Sequence, residues 1–136
     1  MSIDQSDSDL KNILEHVQTI AVIGASSNKN RDSFKVMKAL IENGYKLFPV
    51  NPNESGKFIL GCECFSDIED IGEKIDLVDI FRNHEAIIGI AKQAIEIGAK
   101  VLWMQEGIIH KEAAELAKDA GLKVVMNKCP KKILEN

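Results

Sequence analysis

In the stretch IAVIGASSNKNRDSF (residues 20–34), an apolar run stops at Gly24, turns through Ala25, Ser26 and Ser27, and restarts in a basic, polar segment. Gly24 lets the chain turn where a side chain would block approach, and the serines offer hydroxyls and backbone N–H groups. A helix starting just behind them would present its unpaired N–H groups and the positive end of its dipole. Residues 28–38 (NKNRDSFKVMK) hold Lys29, Arg31, Lys35 and Lys38 against Asp32, with Ser33 at the helix start. In a chain of net charge −4, this local excess of cations suits an anion carrying more than one phosphate. Four further stretches follow apolar runs in the same manner: Asn51-Pro52-Asn53, Arg82-Asn83-His84, Gln105-Glu106-Gly107 and Asn127-Lys128-Cys129-Pro130.

For five such stretches to meet in one place, the apolar runs before them must lie side by side. NGYKLFPV (43–50), IGAKVLWM (97–104) and AGLKVVM (120–126) repeat one pattern of Gly, one residue, Lys and an apolar run. The glycine stops a helix and the run behind it reads as a buried strand. The preceding segments carry helical stripes: Val36, Met37, Leu40 and Ile41; Ile87, Ile88, Ala91, Ala94 and Ile95; Ala113, Leu116, Ala117 and Ala120. Strands are expected at TIAVIGA (19–25), KLFPV (46–50), DLVDIF (76–81), KVLWM (100–104) and KVVM (123–126). An opening helix over about 7–17 carries Leu10, Ile13, Leu14 and Val17, and S-D-I-E at 66–69 predicts a minor helix with a Ser66–Glu69 capping box. Helix and strand thus alternate along the chain. That order specifies an α/β fold: a Rossmann-like, doubly wound, parallel five-stranded sheet, with strand order 3-2-1-4-5 expected ahead of the flavodoxin-like order. The carboxyl ends of the strands then form the ligand crevice.

At 136 residues and 45% apolar, the chain is expected to be a single domain over 1–136 with a proper core. The net charge of −4 argues against a general nucleic-acid binder. No segment reaches the ~20 apolar residues of a membrane span, and MSIDQSDSDLKNILEH is unlike a secretory signal. Three cysteines make no disulfide framework and suit a cytoplasmic setting.

The first loop lacks the full G-x-G-x-x-G, and the second strand ends in Pro49-Val50-Asn51-Pro52, where a nicotinamide site wants an acid. A G-K-[ST] P-loop is absent too. Cys62-x-Cys64 with Cys129 lacks the paired spacing of structural zinc, so no metal is expected. Asp76 and Asp79 point to opposite faces of a strand and make no acid–base pair, although Asp79 inside an apolar run is odd. Trp103 and Met104 read as core. His16 falls late in the first helix, and His84 and His110 at helix starts, as surface or supporting groups.

VIGASSNKNRDSFKV, FPVNP, DLVDIFR, VLWMQEGI and VVMNKCP, in this order, closely resemble the small free-standing CoA-binding domain proteins, over about residues 10–132. They are also similar to the CoA-binding domain of the succinyl-CoA synthetase alpha subunit. The resemblance implies coenzyme A lying across the strand ends. Gly24, Ala25, Ser26 and Ser27 would cradle phosphate, with Arg31 and Ser33 beside them. Asn51 and Pro52 would flank the adenine-ribose side, and Lys57 would meet the 3′-phosphate. Phe81 and Arg82 would line the middle, Gln105, Glu106 and Gly107 the far wall, and Asn127 and Cys129 would match the synthetase's N-C-P turn. The synthetase subunit carries its phosphorylated histidine on a second domain that this chain does not contain, and His16, His84 and His110 do not replace it.

The expected function is therefore binding of coenzyme A or an acyl-CoA, as carrier, sensor or partner subunit without catalysis of its own. A protein partner, if any, is unidentified. The alternatives are an enzyme acting on an acyl-CoA or nucleotide through Glu106 or Cys129, or an NAD(P)-binding protein. A mixed disulfide between Cys129 and the CoA thiol is a further expectation.

Overall fold

The computed structural model describes residues 5–136; the first four residues, and that part of the expected domain and acidic N-terminus, lie outside the described residues. A parallel sheet carries the fold. Its strands are β1 (Thr19–Ile23), β2 (Lys46–Val50), β5 (Leu77–Ile80), β6 (Val101–Met104) and β7 (Lys123–Val125), with a small antiparallel pair, β3 (Phe58–Ile59) and β4 (Cys62–Glu63), set apart. The helices are α1 (Asp7–Glu15), α2 (Asp32–Glu42), α3 (His84–Glu96), α4 (Lys111–Asp119) and α5 (Pro130–Glu135).

Period-2 alternation splits the apolar residues of each strand between two cores. Ala21 and Ile23 of β1 join Phe48, Ile80, Leu102 and residues of α3 and α4 on one face. Ile20 and Val22 join Trp103 and residues of α1, α2 and α5 on the other. With both faces covered, the near-continuous apolar character of the strands is what a parallel sheet requires.

The sheet order is β2-β1-β5-β6-β7, which is 2-1-3-4-5 in the order of the five parallel strands. This corrects the expected 3-2-1-4-5. The physical reason lies in Pro49, which sits in β2 opposite Val22 of β1. Proline has no N–H to give a second neighbour, so its strand belongs at an edge. The outer side of β2 meets a one-residue ribbon instead: Phe65 N–H donates to the Pro49 carbonyl at 2.9 Å, and Asn51 N–H donates to the Phe65 carbonyl at 2.9 Å. β5 consequently pairs with the free side of β1, in register Ile20–Leu77 to Ile23–Ile80.

Two other expectations are corrected. The segment at 66–69 forms a 3-10 turn, Ile68–Asp70, capped by the Asp67 side chain accepting from Glu69 N–H at 2.9 Å, rather than a helix boxed by Ser66 and Glu69. The β3–β4 hairpin and α5 are additional elements that the strand–helix alternation did not include.

Candidate functional site

The sheet order fixes the site. β2 and β5 leave β1 on opposite sides, so the loops after β1 and β5 diverge toward opposite faces and a crevice opens between them. A cavity of about 590 Å³ lies there, lined by Gly24, Ala25, Ser26, Arg31, Asp32, Ser33, Asn51, Pro52, Asn53, Phe81 and Arg82. A second cavity of about 470 Å³ shares Asp32, Phe81 and Arg82 with it and extends to Lys35, Val36, Gln105, Glu106, Ile108, Cys129, Lys131 and Lys132. The shared residues make one crevice with two compartments, each of ligand-site size.

Gly24 has φ +92°, and a Cβ built on it would lie 2.5 Å from the Phe81 carbonyl oxygen. Its glycine character lets the β1 and β5 ends pack together; that is a different reason from approach by a ligand. The N–H groups of Gly24 and Ala25 both donate to the Val50 carbonyl, at 2.9 and 3.2 Å. Ser27 gives its N–H (2.9 Å) and its hydroxyl to the Glu54 carboxylate. Asn51 spends its side chain on the scaffold: its Nδ2 donates to the Ala25 carbonyl at 2.8 Å and its Oδ1 accepts from Asn53 N–H at 2.9 Å.

What remains for an anion is the start of α2. Arg31 is its N-cap without a side-chain cap bond, and Asp32 and Ser33 occupy its first turn in the cavity wall. The first N–H groups of a helix have no intrahelical acceptor, and the dipole adds positive potential there. Arg31 and Arg82 supply full charges beside it. Of the basic run, Arg31 and Lys35 reach the crevice lining, whereas Lys29 and Lys38 do not line either compartment.

The second compartment mixes apolar and polar walls. Glu106 pairs with Lys132 at 2.8 Å across its rim. That partner pulls the exposed Lys132 ammonium toward a higher pKa, through its hydrogen bond and charge together. Cys129 is the N-cap of α5 and is 8% exposed. Gln105 is 5% exposed, and its amide end lies 3.0 and 3.1 Å from the two carboxyl oxygens of Asp79. Asp79 is wholly buried, and burial pushes its carboxyl well above the usual carboxylate range.

Of the expected site residues, the structure thus brings Gly24, Ala25, Ser26, Arg31, Ser33, Asn51, Pro52, Phe81 and Arg82 into the first compartment, and Gln105, Glu106 and Cys129 into the second. Ser27, Lys57, Gly107 and Asn127 line neither. Ser27 is held by Glu54, and Asn127, at φ 59°, turns its Oδ1 to accept Gly107 N–H at 2.7 Å, so that pair braces two strand-end loops. Other lining residues were not foreseen as site residues. Val36 and Ile108 add apolar wall, and Lys131 and Lys132 arrive on α5, which the sequence signals by Cys-Pro followed by two lysines. Glu54 lines neither compartment, but it holds Ser27 and places a carboxylate three residues past Asn51, near the position that the sequence left without an acid.

The remaining candidates fall outside the crevice. His110 caps α4, its Nδ1 accepting from Ala113 N–H at 3.1 Å, and its ring stacks on His84 at 4.1 Å between centroids. His16 is exposed at the end of α1. Cys62 and Cys64 have thiols pushed upward by burial, and Cys64 Sγ lies 3.7 Å from the Asn51 carbonyl. Among the described residues no group of three or more metal-ligating side chains gathers, and no helix is long and apolar enough to cross a membrane.

A family model described as "CoA binding domain" matches residues 18–135. The chain is 36% identical over 126 residues to "Uncharacterized protein YneT" of Bacillus subtilis, spanning 93% of this chain and 92% of that one. It is 34% identical over 79 residues to "Acetate--CoA ligase [ADP-forming] II" of Archaeoglobus fulgidus, covering 57% of this chain and 11% of the ligase. The chain therefore spans about a tenth of that ligase's length. In structure it superimposes on a hypothetical protein of Pyrococcus horikoshii with a TM-score of 0.89 at 38% identity, over 99% of this chain and 97% of the other.

Proposed function

Because the chain belongs to the CoA binding domain family, we propose that it binds coenzyme A or an acyl-CoA across the ends of β1, β5 and β6, as a carrier, sensor or partner subunit without turnover of its own. The two-compartment crevice is the observation that carries this reading. Coenzyme A is charged at one end and uncharged at the other. The pyrophosphate and 3′-phosphate suit the start of α2 with Arg31 and Arg82, and the amide-bearing arm and its thiol suit the wall of Val36, Ile108, Gln105 and Cys129. Lys57 lies off the lining, so Arg31 and Arg82 take the phosphate role first expected of it. Binding without turnover is supported by Glu106, whose carboxylate is held by Lys132 rather than presented free. A cytoplasmic setting suits the three free thiols.

One observation favours a second reading. Glu54 beside Ser27 could accept from ribose hydroxyls, as the acid of a nicotinamide site does. Thermal unfolding with CoA, 3′-dephospho-CoA, NAD and ADP added separately decides between the two. A ligand at about 100 times its Kd adds roughly 2.7 kcal/mol, several degrees in Tm for a domain of this size. The expected order is CoA above dephospho-CoA and ADP, with NAD inert. A shift with NAD and none with CoA overturns the proposal.

A further inference from the structure

A carboxyl group buried without a cation is costly, and a fold has no use for it in the middle of a strand. Asp79 is such a group. It lies between Val22 of β1 and Trp103 of β6 and is 0% exposed. The salt bridges among the described residues do not include it. Charged groups stand along the crevice above it: Asp32 and Lys35 from α2, Arg82 behind β5, Glu106 behind β6, and Lys131 and Lys132 from α5, beside the Cys129 thiol. β1 turns apolar Val22 toward it. The amide end of Gln105, itself a wall of the second compartment, lies against it, and with the NH₂ turned inward the nitrogen stands 3.0 and 3.1 Å from the two carboxyl oxygens.

The oxygen and nitrogen of an amide are nearly the same size, so one position serves two states of this pair. With Asp79 ionised, the Gln105 NH₂ turns inward and donates to the carboxylate, and the carbonyl oxygen faces the other way. With Asp79 neutral, its O–H donates to the Gln105 oxygen, and the NH₂ is the end turned away. Passing between them breaks the Asp79 O–H bond, releases the proton to solvent, and rotates the amide half a turn about its Cγ–Cδ bond.

We propose that Asp79 is a positioning residue that sets which pole of the Gln105 amide meets the ligand, so that the proton on Asp79 selects between a donor and an acceptor in the crevice wall. The ligand's identity rests on the CoA reading above; the coupling of Asp79 to Gln105 does not. A thioester carbonyl only accepts, so the neutral state, with NH₂ presented, favours an acyl-CoA.

Two experiments test this. In the ligand-free protein, NMR follows the Asp79 carboxyl carbon and the Gln105 side-chain NH₂ signals across pH. A common midpoint is expected, with the Gln105 transition absent in Asp79→Asn. A carboxyl that does not titrate, or a Gln105 that ignores it, overturns the proposal whatever the protein binds. Calorimetry then compares acetyl-CoA with adenosine 3′,5′-bisphosphate, which has the phosphates and no arm. The affinity ratio should fall about fivefold, the worth of one neutral hydrogen bond, as pH rises through the Asp79 transition. Asp79→Asn, which carries no proton to lose and whose amide pairs with either pole of Gln105, should make the ratio independent of pH, and Gln105→Leu should leave it low and flat. A wild-type ratio independent of pH, or an Asp79→Asn profile that tracks wild type, overturns it. If neither compound binds while the NMR midpoints coincide, the CoA reading fails and the coupling stands.

Discussion

Asp76 and Asp79 stand three residues apart on one stretch of chain, and their surroundings differ as the two ends of the sheet differ. At the amino end of the strands, the Asp76 carboxylate accepts from Gln18 N–H at 2.8 Å and Thr19 N–H at 3.3 Å, with Lys100 Nζ 3.6 Å away. Its own N–H donates to the Thr19 hydroxyl at 2.9 Å. Burial would raise this carboxyl, but the two N–H donors and the charges of Lys100 and Lys74 outweigh it and hold it below its ordinary value. Toward the carboxyl end, Asp79 has one neutral amide and nothing to offset burial. At the amino end, then, the fold itself supplies the acid with donors and a cation. The other end keeps helix N–H groups, arginines and a buried acid whose partner is a single neutral amide, and groups of that kind are what a ligand can use.

The comparison is broken most severely at Gly24, where the carboxyl end does have a structural demand. Gly24→Ala forces a Cβ against the Phe81 carbonyl at 2.5 Å in a left-handed backbone conformation. The expected cost is about 3 kcal/mol or more, a Tm drop on the order of 10 °C, together with loss of CoA binding. An unchanged Tm in a melting scan would show that the β1 and β5 ends can separate freely.

Asp76→Ala tests the amino end. Two partly buried N–H groups lose their acceptor and Lys100 its partner, for about 2 kcal/mol at neutral pH, read by denaturant titration. The folded-state carboxyl lies below the ordinary value of 3.8, so its contribution is present above that pH and is lost as pH falls through the lowered pKa. The gap between wild type and variant should therefore close in strong acid. Ligand affinity should not change, because the residue lies at the opposite end from the crevice.

The scaffold of this design is more legible in the sequence than the pairings within the crevice. The three Gly-x-Lys repeats located β2, β6 and β7 to within a residue or two, because each joins a helix stop to a buried run in consecutive positions. Pro49 carried the sheet order as well, since a proline inside KLFPV marks an edge strand; the alternation of elements alone does not distinguish the two windings. Strands of two residues, as in β3 and β4, are too short to show any period. The clustering of strand ends followed from the fold class. The pairings within the cluster did not. Ser27 with Glu54, Gln105 with Asp79, and His84 with His110 each join residues 26 or 27 positions apart, and only the packing of separate loops brings them together.

The smallest expected effect is the sharpest test of the contrast, because it concerns sign. Asp79→Asn removes a charge that burial disfavours and keeps the shape of the side chain. The wild-type carboxyl is raised above its ordinary 3.8, so the folded state holds its proton more tightly than the unfolded chain does. Its contribution to stability is complete below that value and declines as pH climbs through the raised pKa, the reverse of Asp76. Stability of the wild type relative to Asp79→Asn should therefore fall with rising pH over that window and then level off, whereas wild type relative to Asp76→Ala should gain with pH in acid. Denaturant midpoints for the three proteins, measured from strong acid to neutral pH and above, give both slopes. Slopes of the same sign would mean that Asp79 finds a cation or donor set equivalent to that of Asp76, and the buried acid would then belong to the scaffold rather than to the crevice.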